Sequence, residues 1–78
     1  MTLEIISAQE VVYRGEADLV NLPGEMGSFT VLKNHASLIS VLVPGKIRYK
    51  REGGAGDEIE IKGGLADVDN NVISVCIY

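Results

Sequence analysis

The side chains that could carry acid–base or covalent chemistry in this sequence are few. His35 is the only histidine, and Ser37 and Ser40 follow it closely enough to suggest a hydrolase triad completed by a carboxylate. No nucleophile-elbow motif such as G-x-S-x-G accompanies them. We interpret His35 instead as a polar residue at a corner between a loop and a strand, with one ring nitrogen bonded to the backbone. We therefore expect no catalytic residue in this chain.

Metal and disulfide chemistry is limited in the same way. Cys76 is the only cysteine, so it has no partner for an internal disulfide. One cysteine and one histidine are also too few for a zinc site, which needs about four ligands. The acidic residues Glu10, Glu16, Asp18 and Glu25 lack the spacing of a calcium loop and are interpreted as a solvated surface. We expect no metal site and no cofactor, and we interpret Cys76 as a small hydrophobic residue.

Two glycine-rich segments could suggest phosphate binding. Gly53-Gly54-Ala55-Gly56 is not followed by the Lys-Ser/Thr pair of a P-loop, so it is interpreted as the tip of a hairpin. Gly63-Gly64 interrupts a strand-like pattern, where glycine usually indicates a bulge or a close approach of another backbone segment. Both segments are therefore assigned structural roles.

Composition and charge exclude further classes of protein. A chain of 78 residues forms one domain at most, and 46% hydrophobic residues indicate a globular chain. The net charge of −4 argues against nucleic acid as a partner, because phosphate binding requires a basic surface. The basic run at residues 46–51 is interpreted as an ordinary exposed strand face, and a docking face for an acidic partner is the alternative.

No segment is typical of a membrane span or a targeting peptide. The longest apolar stretch, residues 38–43, is far shorter than the roughly 20 residues that a transmembrane helix requires. The first residues contain neither a positively charged region nor a long apolar one. The single thiol fits a reducing compartment. We expect a soluble chain without direct membrane insertion, which could still dock on a membrane complex through a protein partner.

The elements that position these side chains are predicted to be almost entirely β-strands. Apolar and polar residues alternate at 46–50, 58–62 and 72–77, which is typical of strands with one buried face. The continuous apolar run at 38–43 predicts a strand buried on both faces. No stretch shows the period of an amphipathic helix. About eight or nine short strands at this spacing predict an all-β sandwich or a small barrel, as a single domain over residues 1–78.

The turns between these strands are indicated by their residue types. Pro23-Gly24 is a strong turn signal, and Pro44-Gly45 ends the apolar run that precedes it. Residues 52–57 predict a flexible polar turn. Asp69-Asn70-Asn71 predicts a hairpin turn, because Asn and Asp tolerate the left-handed backbone that such turns require.

Five short motifs in this sequence follow one another in a specific order. They are L-P-G-x-x-G at 22–27, L-x-x-H-A-x-L at 32–38, P-G at 44–45, G-G-L-A-D-V at 63–68 and N-V-I-S-V at 71–75. This ordered set resembles the N-terminal domain of the epsilon subunit of F-type ATP synthase, whose mitochondrial counterpart is called delta. Each motif is weak alone, but their order and spacing are specific, and the resemblance covers residues 3–77.

The resemblance implies a fold and a function. The family's domain is a flattened β-sandwich, so we expect about eight to ten short, mostly antiparallel strands. The family's subunit is a non-catalytic rotor component of the central stalk, since the catalytic sites lie in the beta subunits. It binds the gamma subunit, rests on the c-ring and couples proton translocation to ATP synthesis. The implied location is the cytoplasmic face of the bacterial inner membrane, as a peripheral part of the complex.

The resemblance also implies which residues contact these partners. Ser7, His35 and Ser40 match positions that lie near gamma in the family. Ser28 matches a position where some members have an acidic residue facing the c-ring loops. The segments 25–29 and 33–37 are expected to face the c-ring or gamma. The predicted partner-binding residues are therefore Ser7, Ser28, Phe29, Lys33, His35 and Ser40.

The sequence departs from the family pattern at two places that matter. Lys33-Asn34 replaces a common Pro-Gly before His35, and we expect Asn34 to adopt the left-handed conformation that glycine would supply. The family usually continues into a C-terminal helical hairpin that can inhibit ATP hydrolysis and, in some members, binds ATP. The printed sequence ends at Tyr78, directly after the last predicted strand. We therefore expect no ATP binding and no hairpin-type inhibition, which calorimetric titration with ATP tests.

Two other classes of small β domain fit the sequence less well. A lipoyl or biotinyl carrier domain needs a modifiable lysine at a hairpin tip, and neither Lys33 nor Lys62 has the flanking residues of such a site. Intact mass would reveal the modification. A sugar-binding β module needs exposed aromatic residues, whereas this chain has no Trp and one Phe.

Overall fold

The computed structural model describes residues 1–51 and 53–78, and these residues form nine β-strands. Glu52, which belongs to the polar turn predicted at 52–57, lies outside the described residues. The all-β class and the predicted number of strands are confirmed. The strands are β1 (Thr2–Ile6), β2 (Val11–Glu16), β3 (Leu19–Gly24), β4 (Gly27–Leu32), β5 (Leu38–Leu42), β6 (Gly45–Lys50), β7 (Gly56–Ile61), β8 (Gly64–Asp69) and β9 (Val72–Ile77).

The strands join into one curled sheet that folds over on itself. Their order is β2-β1-β9-β8-β5-β3-β6-β7, and β4 pairs with β3 beside this path. Strands β1 and β9 pair in parallel, and the other paired strands are antiparallel. Strand β3 meets β5 only where Gly24 pairs with Leu42. This narrow junction separates a layer of β2-β1-β9-β8-β5 from a layer of β4-β3-β6-β7, as in a β-sandwich.

One hydrophobic core lies between the two layers. The alternation of apolar and polar residues places one side chain in two on the inner face of most strands, as expected from the two-residue period of a strand. Full burial of an aliphatic side chain contributes about 1.5–3 kcal/mol to the free energy of unfolding. The buried core residues are Leu3, Ile5, Ala17, Val20, Leu22, Val31, Leu42, Ile47, Tyr49, Ile61, Ala66, Val68, Ile73 and Val75.

The prediction that residues 38–43 form a strand buried on both faces is wrong. Ile39 and Val41 in β5 are 71% and 48% exposed, whereas Leu42 is buried. The two exposed side chains project from the outer face of the first layer, and the second layer covers only the inner face. A continuous apolar run therefore marks an exposed apolar surface here.

The turn predicted at Pro23-Gly24 lies two residues further along the chain. Pro23 and Gly24 end strand β3 and pair with residues of β4, and Glu25 and Met26 form the turn. The Pro23 carbonyl accepts a hydrogen bond from the Val43 amide at 2.9 Å. Pro23 therefore lies within the sheet, because its carbonyl bonds to the segment that follows β5 and its cross-strand partner in β4 is Ser28.

The turn residues of the asparagine-containing segments agree with the predictions. Asn70 and Asn71 have φ angles of 48° and 61°, which gives the β8–β9 hairpin the left-handed pair of residues expected of it. Asn34 has a φ of 65°, so it supplies the left-handed conformation that glycine would otherwise provide. At Gly64, an added Cβ would collide with the carbonyl oxygen of Cys76, which is the close backbone approach expected at this position.

Candidate partner-binding surface

A groove opens between β4 and β5, and it contains three of the predicted partner-binding residues. Phe29, His35 and Ser40 line this groove together with Leu38 and Ile39. They come from β4, from the loop at 33–37 and from β5, so the fold gathers residues that are well separated in the chain. The groove combines apolar walls with a hydroxyl and an imidazole, which suits a partner surface of mixed polarity.

His35 lies exposed on the loop that joins β4 to β5. Its backbone amide donates a hydrogen bond to the Leu32 carbonyl at 3.1 Å, and its Nδ1 donates to the Ala36 carbonyl at 2.8 Å. Since a carbonyl oxygen only accepts, this contact requires a proton on Nδ1. Among the hydrogen bonds within the described residues, none involves Nε2 of this exposed side chain. The corner role expected of His35 is present, and it leaves one ring nitrogen for a partner.

The loop carrying His35 is tied to the β8–β9 hairpin by side chains. The Asn34 amide donates to Asn71 Oδ1 at 2.6 Å, and Asn71 Nδ2 donates back to Asn34 Oδ1 at 3.1 Å. The Ser37 hydroxyl donates to Asp69 Oδ1 at 2.6 Å. These bonds hold the loop on both sides of His35. The sequence does not reveal them, because the partners are more than thirty residues apart.

The other three predicted residues lie outside the groove. Ser28 alternates with Phe29 along β4, so it is exposed on the opposite face, where its hydroxyl donates to Asn21 Oδ1 at 3.2 Å. Lys33 is exposed at the start of the loop. Ser7 forms the β1–β2 turn, because its hydroxyl accepts hydrogen bonds from the amides of Gln9 at 3.3 Å and Glu10 at 3.2 Å. The residue type and position of Ser7 did not by themselves predict this structural role.

A second surface feature is a row of apolar residues across the outer face of the first layer. Cross-strand pairing aligns Val41 with Leu65, Leu65 with Cys76, Cys76 with Ile6, and Ile6 with Val11. We call these five residues the apolar stripe. Val41, Leu65 and Val11 are each about half exposed. The sequence shows these apolar residues at outward-facing positions of their strands. Only the pairing register of the folded sheet shows that they form one row.

The stripe has a polar boundary on one side. The neighbouring row of cross-strand partners begins at Ile39 and continues with the polar residues Asp67, Ser74, Glu4 and Arg14. Arg14 forms an ion pair with Glu4, with 2.6 Å between Arg14 Nη2 and Glu4 Oε2. An exposed apolar region rimmed by polar residues is typical of a protein-binding surface.

The basic strand face predicted at 46–51 is partly neutralised by β7. Glu58 lies 3.2 Å from Lys46 Nζ and 3.3 Å from Arg48 Nε. The hydrogen bonds from Lys46 and Arg48 lower the pKa of the Glu58 carboxyl below its usual value of 4.5. Strand pairing thus supports the interpretation of an ordinary exposed face.

On the inner side of β6, burial raises the pKa of the Tyr49 phenol, and the nearby Asp57 carboxylate adds to this effect.

Within residues 1–51 and 53–78, no group of three or more His, Cys, Asp and Glu side chains is arranged to hold a metal ion. In the same described part of the chain, no helix combines the length and the apolar character needed to cross a bilayer.

Comparison with known families decides the assignment of this fold. Residues 1–77 match the model of the β-sandwich domain of the ATP synthase delta/epsilon chain. The chain belongs to this family. The family resemblance inferred from the five motifs is therefore confirmed over almost every residue.

Curated relatives extend beyond the matched region. The ATP synthase epsilon chain of Janthinobacterium sp. (strain Marseille) is 40% identical over 76 residues, covering 96% of this chain and 54% of the relative. The ATP synthase epsilon chain of Sulfurimonas denitrificans is 39% identical over 77 residues, covering 99% of this chain and 59% of the relative. The chain thus spans between half and two thirds of the length of these relatives.

Solved structures show the same fold inside assembled enzymes. A chain in the cryo-EM structure of the Euglena gracilis mitochondrial ATP synthase, OSCP/F1/c-ring in rotational state 1, matches with a TM-score of 0.89 and 25% identity, over 96% of this chain and 48% of that chain. A chain in the structure of the Tetrahymena thermophila mitochondrial ATP synthase central stalk/c-ring matches with a TM-score of 0.81 at 12% identity, over 97% of this chain and 61% of that chain. The second likeness concerns the fold alone. The partner contacts of Ser7, Ser28, Phe29, Lys33, His35 and Ser40 stay predictions.

Proposed function

We propose that this domain is a non-catalytic component of the central stalk of an F-type ATP synthase. In this role it links the gamma subunit to the c-ring and couples proton translocation to ATP synthesis. The family match and the epsilon-chain relatives support this proposal. The observation that carries it is the groove that brings Phe29, His35 and Ser40 together, because the family resemblance predicts all three as partner contacts.

The gamma subunit is assigned to the groove and the adjoining apolar stripe. Ile39 lines the groove and Val41 belongs to the stripe, and both project from the outer face of β5. Ser7 follows Ile6 at the β1–β2 end of the stripe. Covering apolar surface is favourable by about 25 cal/mol per Å² removed from water. One continuous partner surface would therefore account for the exposed aliphatic residues and for the predicted contacts Ser7, His35 and Ser40.

The c-ring is assigned to the tip of the β3–β4 hairpin. Met26 at this tip is 99% exposed, and Ser28 is exposed on the outer face of β4. The Glu25 amide donates to the Val41 carbonyl at 2.8 Å, so the tip is bonded directly to the strand that carries the gamma-facing residues. A force applied at the tip would reach β5 through this backbone contact.

The core supplies the rigidity that such coupling requires. Residues from both layers pack into a single cluster, including Leu22 of β3 and Ile73 of β9, which are fully buried. Close-packed interiors have low compressibility and transmit strain. The proposed position is peripheral, at the cytoplasmic face of the bacterial inner membrane, reached through the protein partners.

Association with the gamma subunit of the same organism tests this function. Size-exclusion chromatography and calorimetry should detect a one-to-one complex of submicromolar affinity. Ile39→Ser should weaken this complex, whereas Leu32→Ser should not, because Leu32 is a similarly exposed aliphatic residue on the outer face of the other layer. Absence of binding at tens of micromolar, by a chain that circular dichroism shows to be folded, would contradict the proposal.

A further inference from the structure

The loop that carries His35 is held by hydrogen bonds rather than by packing. Each of residues 33–37 is exposed, so no buried side chain anchors this segment. The bonds Asn34–Asn71 and Ser37–Asp69 lie on either side of His35 and Ala36. The position of the imidazole at the rim of the groove therefore depends on side chains of the β8–β9 hairpin.

Asn71 is the central residue of this arrangement. Its side chain bonds the Asn34 amide and the Asn34 side chain, and its backbone carbonyl accepts a hydrogen bond from the Thr2 amide at 2.9 Å. It thus connects the His35 loop to β1 and to the hairpin in one residue. Its φ of 61° means that glycine could keep the turn while removing the carboxamide.

Asn70 provides a natural comparison on the same turn. It also has a positive φ, of 48°, and its side chain is exposed. Among the contacts made within the described residues, its carboxamide forms no hydrogen bond with the His35 loop. The two asparagines therefore share backbone geometry and differ in their contact with residues 33–37.

We propose that Asn71 and Asp69 are positioning residues for the partner-binding surface. Their side chains hold His35 at the rim of the groove before the gamma subunit binds. This inference rests on the proposed function. An exposed loop that must be ordered on binding costs conformational entropy, and holding it in the bound position beforehand strengthens association. Each of these hydrogen bonds contributes only modestly to the free energy of unfolding, so their loss should leave the domain folded while weakening the binding of gamma.

The matched variants Asn71→Gly and Asn70→Gly test this assignment. Asn71→Gly should weaken gamma binding about threefold to tenfold, the range of one to two neutral hydrogen bonds. It should also accelerate hydrogen exchange at the Asn34 amide. Asn70→Gly should leave both the affinity and the exchange rate unchanged. The melting temperature of Asn71→Gly should lie no more than about 4–8 °C below that of Asn70→Gly, the shift that corresponds to about 1 kcal/mol in a chain of this size, so both variants remain folded in the binding assay.

A double-mutant cycle with His35→Ala adds a readout that a structural role would not change. If Asn71 acts through His35, Asn71→Gly should cause little further loss of affinity in the His35→Ala background. Ser37→Ala, which removes the second bond without touching the turn, should weaken binding in the same direction. This variant keeps the test valid if Asn71→Gly fails to fold.

The outcomes separate the two proposals. The positioning role would be overturned if Asn71→Gly and Ser37→Ala bound gamma with the wild-type affinity although exchange at the Asn34 amide was faster. The proposed function would then remain intact. Fully additive losses in the cycle would also overturn the positioning role. Failure of the folded wild-type chain to bind gamma would overturn the proposed function and, with it, this inference.

Discussion

The carbonyl oxygen of Cys76 in β9 occupies the position that a side chain at residue 64 in β8 would require. Gly64 and Ile77 are cross-strand partners, so this contact lies inside the sheet and not in a loop. The same pair of strands carries Leu65 and Cys76 of the apolar stripe. The glycine therefore lets the two strands approach closely beside these stripe residues.

Gly64→Val should destabilise the domain by about 1–3 kcal/mol, the usual range for forcing extra atoms into a packed site. The carbonyl is backbone, so it cannot move aside without disturbing the β8–β9 pairing. In a chain of this size, each kcal/mol corresponds to a shift of about 4–8 °C in the melting temperature. Gly56→Ala is the control, because its Cβ would lie at 3.5 Å from the Tyr49 carbonyl, an ordinary contact. An unchanged melting temperature for Gly64→Val would contradict this prediction.

His35→Ala should weaken binding of the gamma subunit by at least about 1 kcal/mol, or about fivefold, the usual scale for a contributing interface residue. The physical reason is the loss of the second ring nitrogen and of the side chain that lines the groove. Calorimetric titration measures the affinity, and circular dichroism verifies the fold. Unchanged affinity in a folded variant would show that His35 only stabilises the loop in which it lies.

Glu58→Gln should change the dependence of stability on pH. The pKa of Glu58 is lowered in the folded state, first by the hydrogen bond from Lys46 and then by that from Arg48. The carboxylate therefore stabilises the fold at pH values above its usual pKa of 4.5, and this contribution is lost as the pH falls through the lowered pKa.

Urea unfolding across the acidic range measures this effect. Wild type should be more stable than Glu58→Gln near neutral pH, and the two should converge once Glu58 is protonated. Glu60→Gln makes the same charge change on the same strand and serves as the control. A difference that persists unchanged in strong acid would exclude the ion pairs as its cause.

Met26→Asp should impair coupling without impairing gamma binding. Met26 lies at the β3–β4 tip, does not line the groove, and has an almost fully exposed side chain. A charge there should disturb an apolar contact with the c-ring loops while leaving the fold intact. ATP-driven proton pumping by the reconstituted enzyme, compared with its ATP hydrolysis, measures coupling. Met26→Leu should behave as wild type. Normal pumping by Met26→Asp would show that Met26 does not contact the c-ring.

Local residue patterns predicted much of this fold because their causes are local. The alternation around Ile47 and Tyr49 arises from a strand with one covered face, and both residues are buried as expected. The left-handed turns at Asn34 and Asn71 follow from the tolerance of asparagine for positive φ. The motif order also identified the family, because spacing between turns is set by strand lengths.

The features that could not be predicted depend on distant pairing. Whether Ile39 and Val41 are covered depends on the position of the second layer, which the apolar run itself does not encode. The bonds from Asn71 to Asn34 join segments that meet only in the folded state. The hydrogen bonds by which the Ser7 hydroxyl closes the β1–β2 turn were likewise not predicted from the residue type alone.

The parallel pairing of β1 with β9 has a consequence for biosynthesis. Thr2 pairs with Val72, and Ile6 pairs with Cys76, so β1 lies between a strand made early and a strand made late. During translation, the edge of β1 that pairs with β9 stays unpaired until residues 72–76 leave the ribosome. Contacts of such long sequence separation form slowly, and exposed strand edges favour aggregation in the interval. The first layer is therefore expected to assemble only after release of β9, at the moment when the apolar stripe also becomes complete.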